Sequence, residues 1–296
     1  MTDKAKSIPK GKAETLAADA KKKRKEELEL RRQQAQQQQR TILFIGAVVF
    51  LIVVVVGIFF ASRPPDVTFP ADLGSQYADI PTGTTQTGPT PDIKYPIAFP
   101  YLGSPNAPVK IEELASFSCP FCLQYHDDHT TQILDEIKAG RAQYIYILTT
   151  RTGDFDSTPG SKAAYCTMQQ STDKFWAMHD ILYDWQKRYG AGAADSSRLE
   201  QAAQKLGLDM GKFDSCMSSS ATAQYVVASS DYATARGLVG TPTVFLFANG
   251  KQIQPPSQNS GETPGSVASF TLNNLRGIIE ANAVSTSSTP AAPAKS

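Results

Sequence analysis

Three kinds of residue are scarce in this 296-residue chain, and each scarcity removes a reading. Net charge is nearly absent: 29 Lys and Arg stand against 28 Asp and Glu, for +1 at neutral pH. A chain so balanced lacks the basic surplus of a nucleic-acid binder. Histidine is represented three times and cysteine four. After one Cys/His cluster is set aside, too few ligands remain for a second, so a paired zinc site is excluded. Charge is also missing from Ile42 to Ala61, a run of 20 residues without a single Asp, Glu, Lys or Arg. No soluble surface segment of that length is so apolar, and the run is long enough to cross a bilayer as a helix.

The charge that is present is unevenly distributed. Residues 1–40 carry 12 Lys and Arg against 6 Asp and Glu, a balance of +6, and the remainder of the chain is mildly acidic. This head ends in the Gln-rich stretch Gln33 to Arg40 and reads as a solvated helix or a disordered segment. The basic excess before the apolar run predicts that residues 1–40 are cytoplasmic, residues 41–62 a single transmembrane helix, and everything beyond extracytoplasmic. A cleaved signal peptide is the competing reading. The long head, the long run and the bulky Phe59-Phe60 disfavour it. Residues 63–94 hold six prolines with many Thr and Gly, lack periodicity, and are expected to form a semi-extended stalk.

A domain is expected over residues 95–284, followed by a disordered Ser/Thr/Pro/Ala tail at 285–296. Its organising stretch is Phe117-Ser118-Cys119-Pro120-Phe121-Cys122. Val109 to Phe117 reads as a strand, and Leu123 to Lys138 as a helix with Tyr125, Ile133, Leu134 and Ile137 on one apolar face. Cys119 then sits exposed at a helix N-terminus, with Pro120 in the first turn, where a missing N–H costs nothing. Unpaired amides and the helix dipole favour negative charge there. A thiolate is the reactive form of cysteine, so Cys119 is the candidate nucleophile and Cys122, one turn inside, the resolving thiol. Strand parity places Glu113 on the face of Val109, Ile111 and Ala115. A carboxyl facing the core beneath the dithiol would have a raised pKa and could move the proton of Cys122; the alternative is a solvated carboxylate on the strand surface.

Gln143 to Thr150 reads as a second strand, parallel to the first. Residues 155–236 carry helical patterns broken by Gly and Asp. Strand signal returns at Thr243 to Phe247, with Asn249-Gly250 as a hairpin turn. Ser266 to Val284 reads as a closing helix. His126 and His129 follow Cys122 at a spacing that invites a zinc reading, but one continuous helix cannot wrap four ligands around an ion. Both are expected on the helix surface, His179 in packing, and no metal is expected. Once Cys119 and Cys122 are paired locally, Cys166 and Cys216 remain. They form either a structural disulfide, as an even count outside the cytoplasm suggests, or two buried free thiols.

A βαβ unit, a helical insertion and a ββα unit, with C-x-x-C opening the first helix, resemble the α/β thioredoxin fold. The insertion between the halves resembles the DsbA family of extracytoplasmic thiol:disulfide oxidoreductases. Three motifs carry the resemblance over about Tyr95 to Val284: Gly103 to Val109, Cys119 to Cys122, and Val239-Gly240-Thr241-Pro242-Thr243. The resemblance implies that Pro242 is cis and lies against the dithiol, with the Thr241 backbone free to pair with an extended substrate chain. It also implies a buried acid matching Glu113 and, in some relatives, a disulfide matching Cys166–Cys216. Activity would be thiol:disulfide exchange with exported proteins, needing no cofactor, with reoxidation by a quinone-linked membrane oxidase. Phe121 departs from the histidine of DsbA, and Thr241 resembles the residue of disulfide-isomerase relatives. The expected role is therefore an oxidase, with a reductase or isomerase on the same fold as the alternative. A tethered peptide-binding module with a vestigial redox pair is a further alternative, against which the intact motifs argue.

Overall fold

The computed structural model describes residues 10–61, 67–253 and 272–287, and the chain divides into two compact units, Met1–Pro64 and Pro65–Ser296. In the first unit α1 (Lys10–Ala61) is one continuous helix. Its segment Lys21–Ile58 is long and apolar enough to cross a membrane. The large apolar side chains from Ile42 to Ile58 are exposed within this unit, an arrangement water does not favour.

The second unit is built on a six-stranded sheet of order β1-β2-β4-β3-β5-β6. Its strands are β1 (Thr82–Thr87), β2 (Lys94–Leu102), β3 (Val109–Ala115), β4 (Ala142–Leu148), β5 (Thr243–Ala248) and β6 (Lys251–Ile253). β3 is the centre. It runs parallel to β4, to which α2 (Pro120–Lys138) leads, and antiparallel to β5. Both faces of β3 are covered, so its side chains are buried almost throughout, as for any central strand with helices on either side.

The two faces separate by parity. Ile111, Ala115, Tyr144 and Tyr146 join the larger core with α2, α4 (Thr172–Tyr189) and α8 (Leu272–Ser287). Leu114, Ile145 and Ile147 join a smaller core with Tyr95, Phe99 and Ala233 of α7 (Ser220–Ala235). Between β4 and β5 lie α3 (Thr158–Met168), α4, α5 (Ser196–Lys205), α6 (Met210–Ser218) and α7. Cys166 of α3 and Cys216 of α6 are joined in a disulfide.

The stretch read from sequence as a stalk requires correction from Val67 onward. Trp185 Nε1 donates to the Thr68 carbonyl at 2.7 Å, and the Thr68 N–H donates to the Tyr189 hydroxyl at 3.0 Å. A short 3-10 turn, Ser75–Tyr77, buries Tyr77, and Ile80 is buried beside it. β1 then pairs antiparallel with β2. The domain therefore begins well before Tyr95. The reason is that β1, Thr-Gly-Thr-Thr-Gln-Thr, is an edge strand held by backbone pairing and needs no apolar alternation. The closing helix covers Leu272–Ser287, with Leu275 and Ile279 buried. Residues 266–271 and 288–296, parts of the expected helix and tail, lie outside the described residues.

Candidate active site

β3 ends at Ala115, and the chain turns through Ser116–Ser118 before α2 begins. Cys119 is the N-cap residue of α2, in extended conformation, and Pro120 occupies the first helical turn without an N–H to leave unpaired. Cys119 and Cys122 are both free thiols. Antiparallel pairing carries β5 back along β3, with Thr243 opposite Leu114. That register delivers the preceding Thr241-Pro242 peptide, which is cis, to the cysteine loop. The Cys119 thiol donates to the Thr241 carbonyl at 3.1 Å. This contact corrects one expectation: Cys119 is only 5% exposed, because Thr241 closes over it. Cys122 is fully buried, and its sulphur accepts from the Ser116 N–H at 3.5 Å.

The two thiols are electrostatically unlike. Hydrogen bonding from Cys122, assisted by Thr241 and the amides of Phe121 and Cys122, outweighs burial and lowers the Cys119 pKa to about 6. Burial, with the Cys119 hydrogen bond and the nearby Glu113 charge, pushes the Cys122 thiol well above its ordinary value. Glu113 lies on the same face of β3, 2% exposed. Burial raises its pKa to about 7 despite the hydrogen bond donated by the Tyr144 hydroxyl. Glu112, one residue away, belongs to the other face. There it accepts from Arg236 at 3.1 Å and from the Tyr95 hydroxyl at 3.3 Å, remote from the dithiol.

A loop that sequence reasoning passed over joins the halves of the site. The Thr152 and Thr241 hydroxyls are 2.7 Å apart, and Ser116 Oγ donates to the Thr152 carbonyl at 2.9 Å. The Asp154 N–H donates to the Ser118 carbonyl at 3.0 Å. Gly153 between them has φ +114, and a Cβ there would lie 2.0 Å from Ser118 Oγ. Only glycine fits this approach. The one sequence signal was the Gly/Asp/Thr cluster directly after a strand.

The histidines also differ from expectation. His129 is buried, with Nδ1 3.2 Å from the Tyr125 carbonyl, and His126 turns inward to Asp180 at 3.1 Å. His126 is only half-buried, its ring turned to Asp180 and Tyr183 of α4, while His129 is buried with its ring stacked on Tyr125. Asp180 also accepts from Gln76 Nε2, from the Tyr77 hydroxyl and from His179 Nδ1, so it is a hydrogen-bond hub with every lone pair engaged. Around the dithiol, Phe121 is 64% and Val239 97% exposed, so the rim of the site is apolar.

A nucleophile-ready thiol beside a high-pKa thiol, with a carbonyl facing the first, is the equipment of thiol–disulfide exchange. Comparisons of the sequence with known proteins agree. The thioredoxin family model matches residues 98–262. "Probable disulfide bond formation protein D" of Bacillus anthracis is 28% identical over 151 residues, covering 50% of this chain and 69% of that protein. Its Bacillus cereus counterpart matches equally, 28% over 151 residues. Among solved structures, oxidised BdbD from Bacillus subtilis superposes with a TM-score of 0.49 at 18% identity, covering 70% of this chain and 99% of that one. The chain belongs to the thioredoxin family, as a DsbA-like thiol:disulfide oxidoreductase.

Proposed function

We propose that the chain is a membrane-tethered oxidase that introduces disulfides into exported proteins through Cys119 and Cys122. In the oxidised state a substrate thiolate attacks Cys119 Sγ. The Cys119–Cys122 bond breaks, and Cys122 leaves with the electron pair and takes a proton from Glu113. A second substrate thiolate then attacks the substrate sulphur of the mixed disulfide and expels Cys119 as a thiolate. The substrate leaves oxidised and the protein holds a dithiol. The observation that carries this reading is the placement of Cys119 as the N-cap of α2, with Cys122 one turn inside and the Thr241 carbonyl 3.1 Å from its sulphur; that setting lowers the Cys119 pKa, and a good leaving thiolate favours the reduced protein and hence oxidation of the substrate. Thr241, beside cis-Pro242, offers its backbone to the substrate chain. The cycle leaves two electrons on the protein, and by analogy with the family their removal is assigned to a quinone-linked membrane oxidase.

The measurement that tests the direction is the reduction potential of the Cys119–Cys122 couple against glutathione. An oxidase requires a value well above thioredoxin's ~−270 mV, toward the ~−120 mV of strong oxidants. A thioredoxin-like value would instead establish a reductase.

Tethering rests on α1, whose exposed apolar run is preceded by basic residues. In this reading residues 1–40 are cytoplasmic, residues 41–62 span the membrane, and the catalytic domain is outside. Protease added to spheroplasts should digest the domain and spare the head. Digestion of the head alone would reverse the orientation.

A further inference from the structure

The chain leaves β4 at Leu148 and within a few residues touches both halves of the dithiol site. Each step of that path is pinned. Ser229 Oγ of α7 donates to the Leu148 carbonyl at 2.5 Å, the Thr149 N–H to the Ala115 carbonyl at 2.8 Å, and the Thr150 N–H to Ser230 Oγ at 3.1 Å. The Thr152 carbonyl accepts from Ser116 Oγ at 2.9 Å and from Ser118 Oγ at 3.3 Å, two fully buried serines of the cysteine loop. The end of β3, α7 and the cysteine loop therefore fix the Thr152 backbone, and its half-buried side chain is held on a rigid support. From there the Thr152 hydroxyl meets Thr241 Oγ1 at 2.7 Å.

The chemistry of the thiol decides which hydroxyl donates. While protonated, Cys119 donates to the Thr241 carbonyl at 3.1 Å. Once it ionises it has no proton to give that carbonyl, and the thiolate depends on donors. Those are the Cys122 thiol first, then the Thr241 side chain, then the amides of Cys122 and Phe121. A hydroxyl has one proton. If the Thr241 proton points to sulphur, Thr241 Oγ1 is left to accept, and Thr152 must be the donor. We propose that Thr152 is a positioning residue for the exchange reaction: its hydroxyl donates to Thr241 Oγ1 and turns the Thr241 proton toward the Cys119 sulphur. Two hydroxyls in series polarise one another, so Thr241 is a better donor than it would be alone. The inference rests on the reading of Cys119 as the nucleophile and leaving thiolate. Thr152 acts on that sulphur only through Thr241.

The ionisable groups that bear on Cys119 come from the elements around it: Cys122 on α2, Glu113 on β3 and Tyr146 on β4. The charges of the Thr152 loop face elsewhere. Arg151 pairs with Asp231 of α7, and Asp154 and Asp156 are exposed. Removing the Thr152 hydroxyl therefore alters no charge beside the sulphur, and a change in the Cys119 titration reports the hydrogen bond itself.

The test follows the ultraviolet absorbance of the thiolate against pH in the reduced full-length protein in detergent, with Cys119→Ser subtracted to remove the tyrosines. The wild type should titrate at about 6. Thr152→Val keeps the shape of the side chain and loses the hydroxyl, and should raise the midpoint by about one pH unit. Its equilibrium constant for reduction by glutathione at pH 7 should fall about fivefold. Thr152→Ser keeps the hydroxyl and should match the wild type in both. A residue that only packs would change the melting temperature and leave the midpoint in place. The route is read from a double variant. Thr241→Val alone should raise the midpoint, and adding Thr152→Val should raise it no further. An unmoved midpoint in Thr152→Val, a shift in Thr152→Ser as large as in Thr152→Val, or additive shifts in the double variant would each overturn the positioning role and leave the assignment of Cys119 intact. A wild-type midpoint in the ordinary range near ~8.5 would overturn the reading of Cys119, and the inference with it. If Thr152→Val does not melt cooperatively, Thr152→Ala is measured in its place against the same outcomes.

Discussion

At Glu113, burial holds the carboxyl pKa near 7 against an ordinary 4.5, so the folded chain keeps a proton that the unfolded chain has already lost. Between those two values the native state binds more protons than the unfolded one, and stability must fall as pH rises. The loss is complete above about pH 7. Each pKa unit is worth about 1.4 kcal/mol, so the carboxylate costs on the order of 3 kcal/mol there. Glu113→Gln keeps an acceptor for the Tyr144 hydroxyl and removes the titration. Denaturant melts of the disulfide form, in which Cys119 does not titrate, should show no difference between Gln and Glu near pH 4. At pH 8 they should show a gain of about 2–3 kcal/mol for Gln. An offset independent of pH, or a loss at pH 8, would contradict this account. The inward direction of Glu113 was legible from strand parity alone, and Cys119, Cys122 and Pro242 from local motifs. Their partners were not. Thr152 meets Thr241 across 89 positions and His126 meets Asp180 across 54, separations at which no spacing rule operates.

Elements that carry their own apolar periodicity could be read directly. β3, α2 and β4 form one such run, and the β5–β6 hairpin announces itself through Asn249-Gly250. The helices from α3 to α6 show an amphipathic signal that α7 lacks, and capping residues mark two of the boundaries: Ser171 accepts from the Lys174 N–H, and Ser219 from the Ala221 N–H. β1 and β2 could not be found this way. β1 contributes backbone, not side chains, and β2 contains Pro96 and Pro100, which argue against a central strand. The structure reconciles these prolines with pairing by letting β2 meet β4 only at Tyr101 and Leu102, while β1 covers its other side. The same segment supplies Gln76 and Tyr77 to Asp180, so the stretch mistaken for a stalk reaches the cluster under the dithiol. The 149–157 loop was equally silent. Its role depends on the close approach of Gly153 to Ser118, which is a tertiary fact.

Across the whole molecule, two units of different character share one chain: a long helix with an apolar exposed run, and a sheet domain holding a buried thiol pair. The charge balance and the uncharged run made the first visible in the sequence, and three short motifs made the second visible. The central claim joins them to a single chemistry, exchange at Cys119 with Cys122 as its internal partner. It is tested most directly by expressing Cys119→Ser and Cys122→Ala in cells and resolving their adducts by non-reducing electrophoresis. The account predicts that Cys122→Ala accumulates mixed disulfides with exported proteins through Cys119, whose escape route has been removed. Cys119→Ser should accumulate none, because the remaining thiol is buried and holds its proton. Equal trapping by both variants, or trapping through Cys122 alone, would contradict the assignment of Cys119 as the nucleophile.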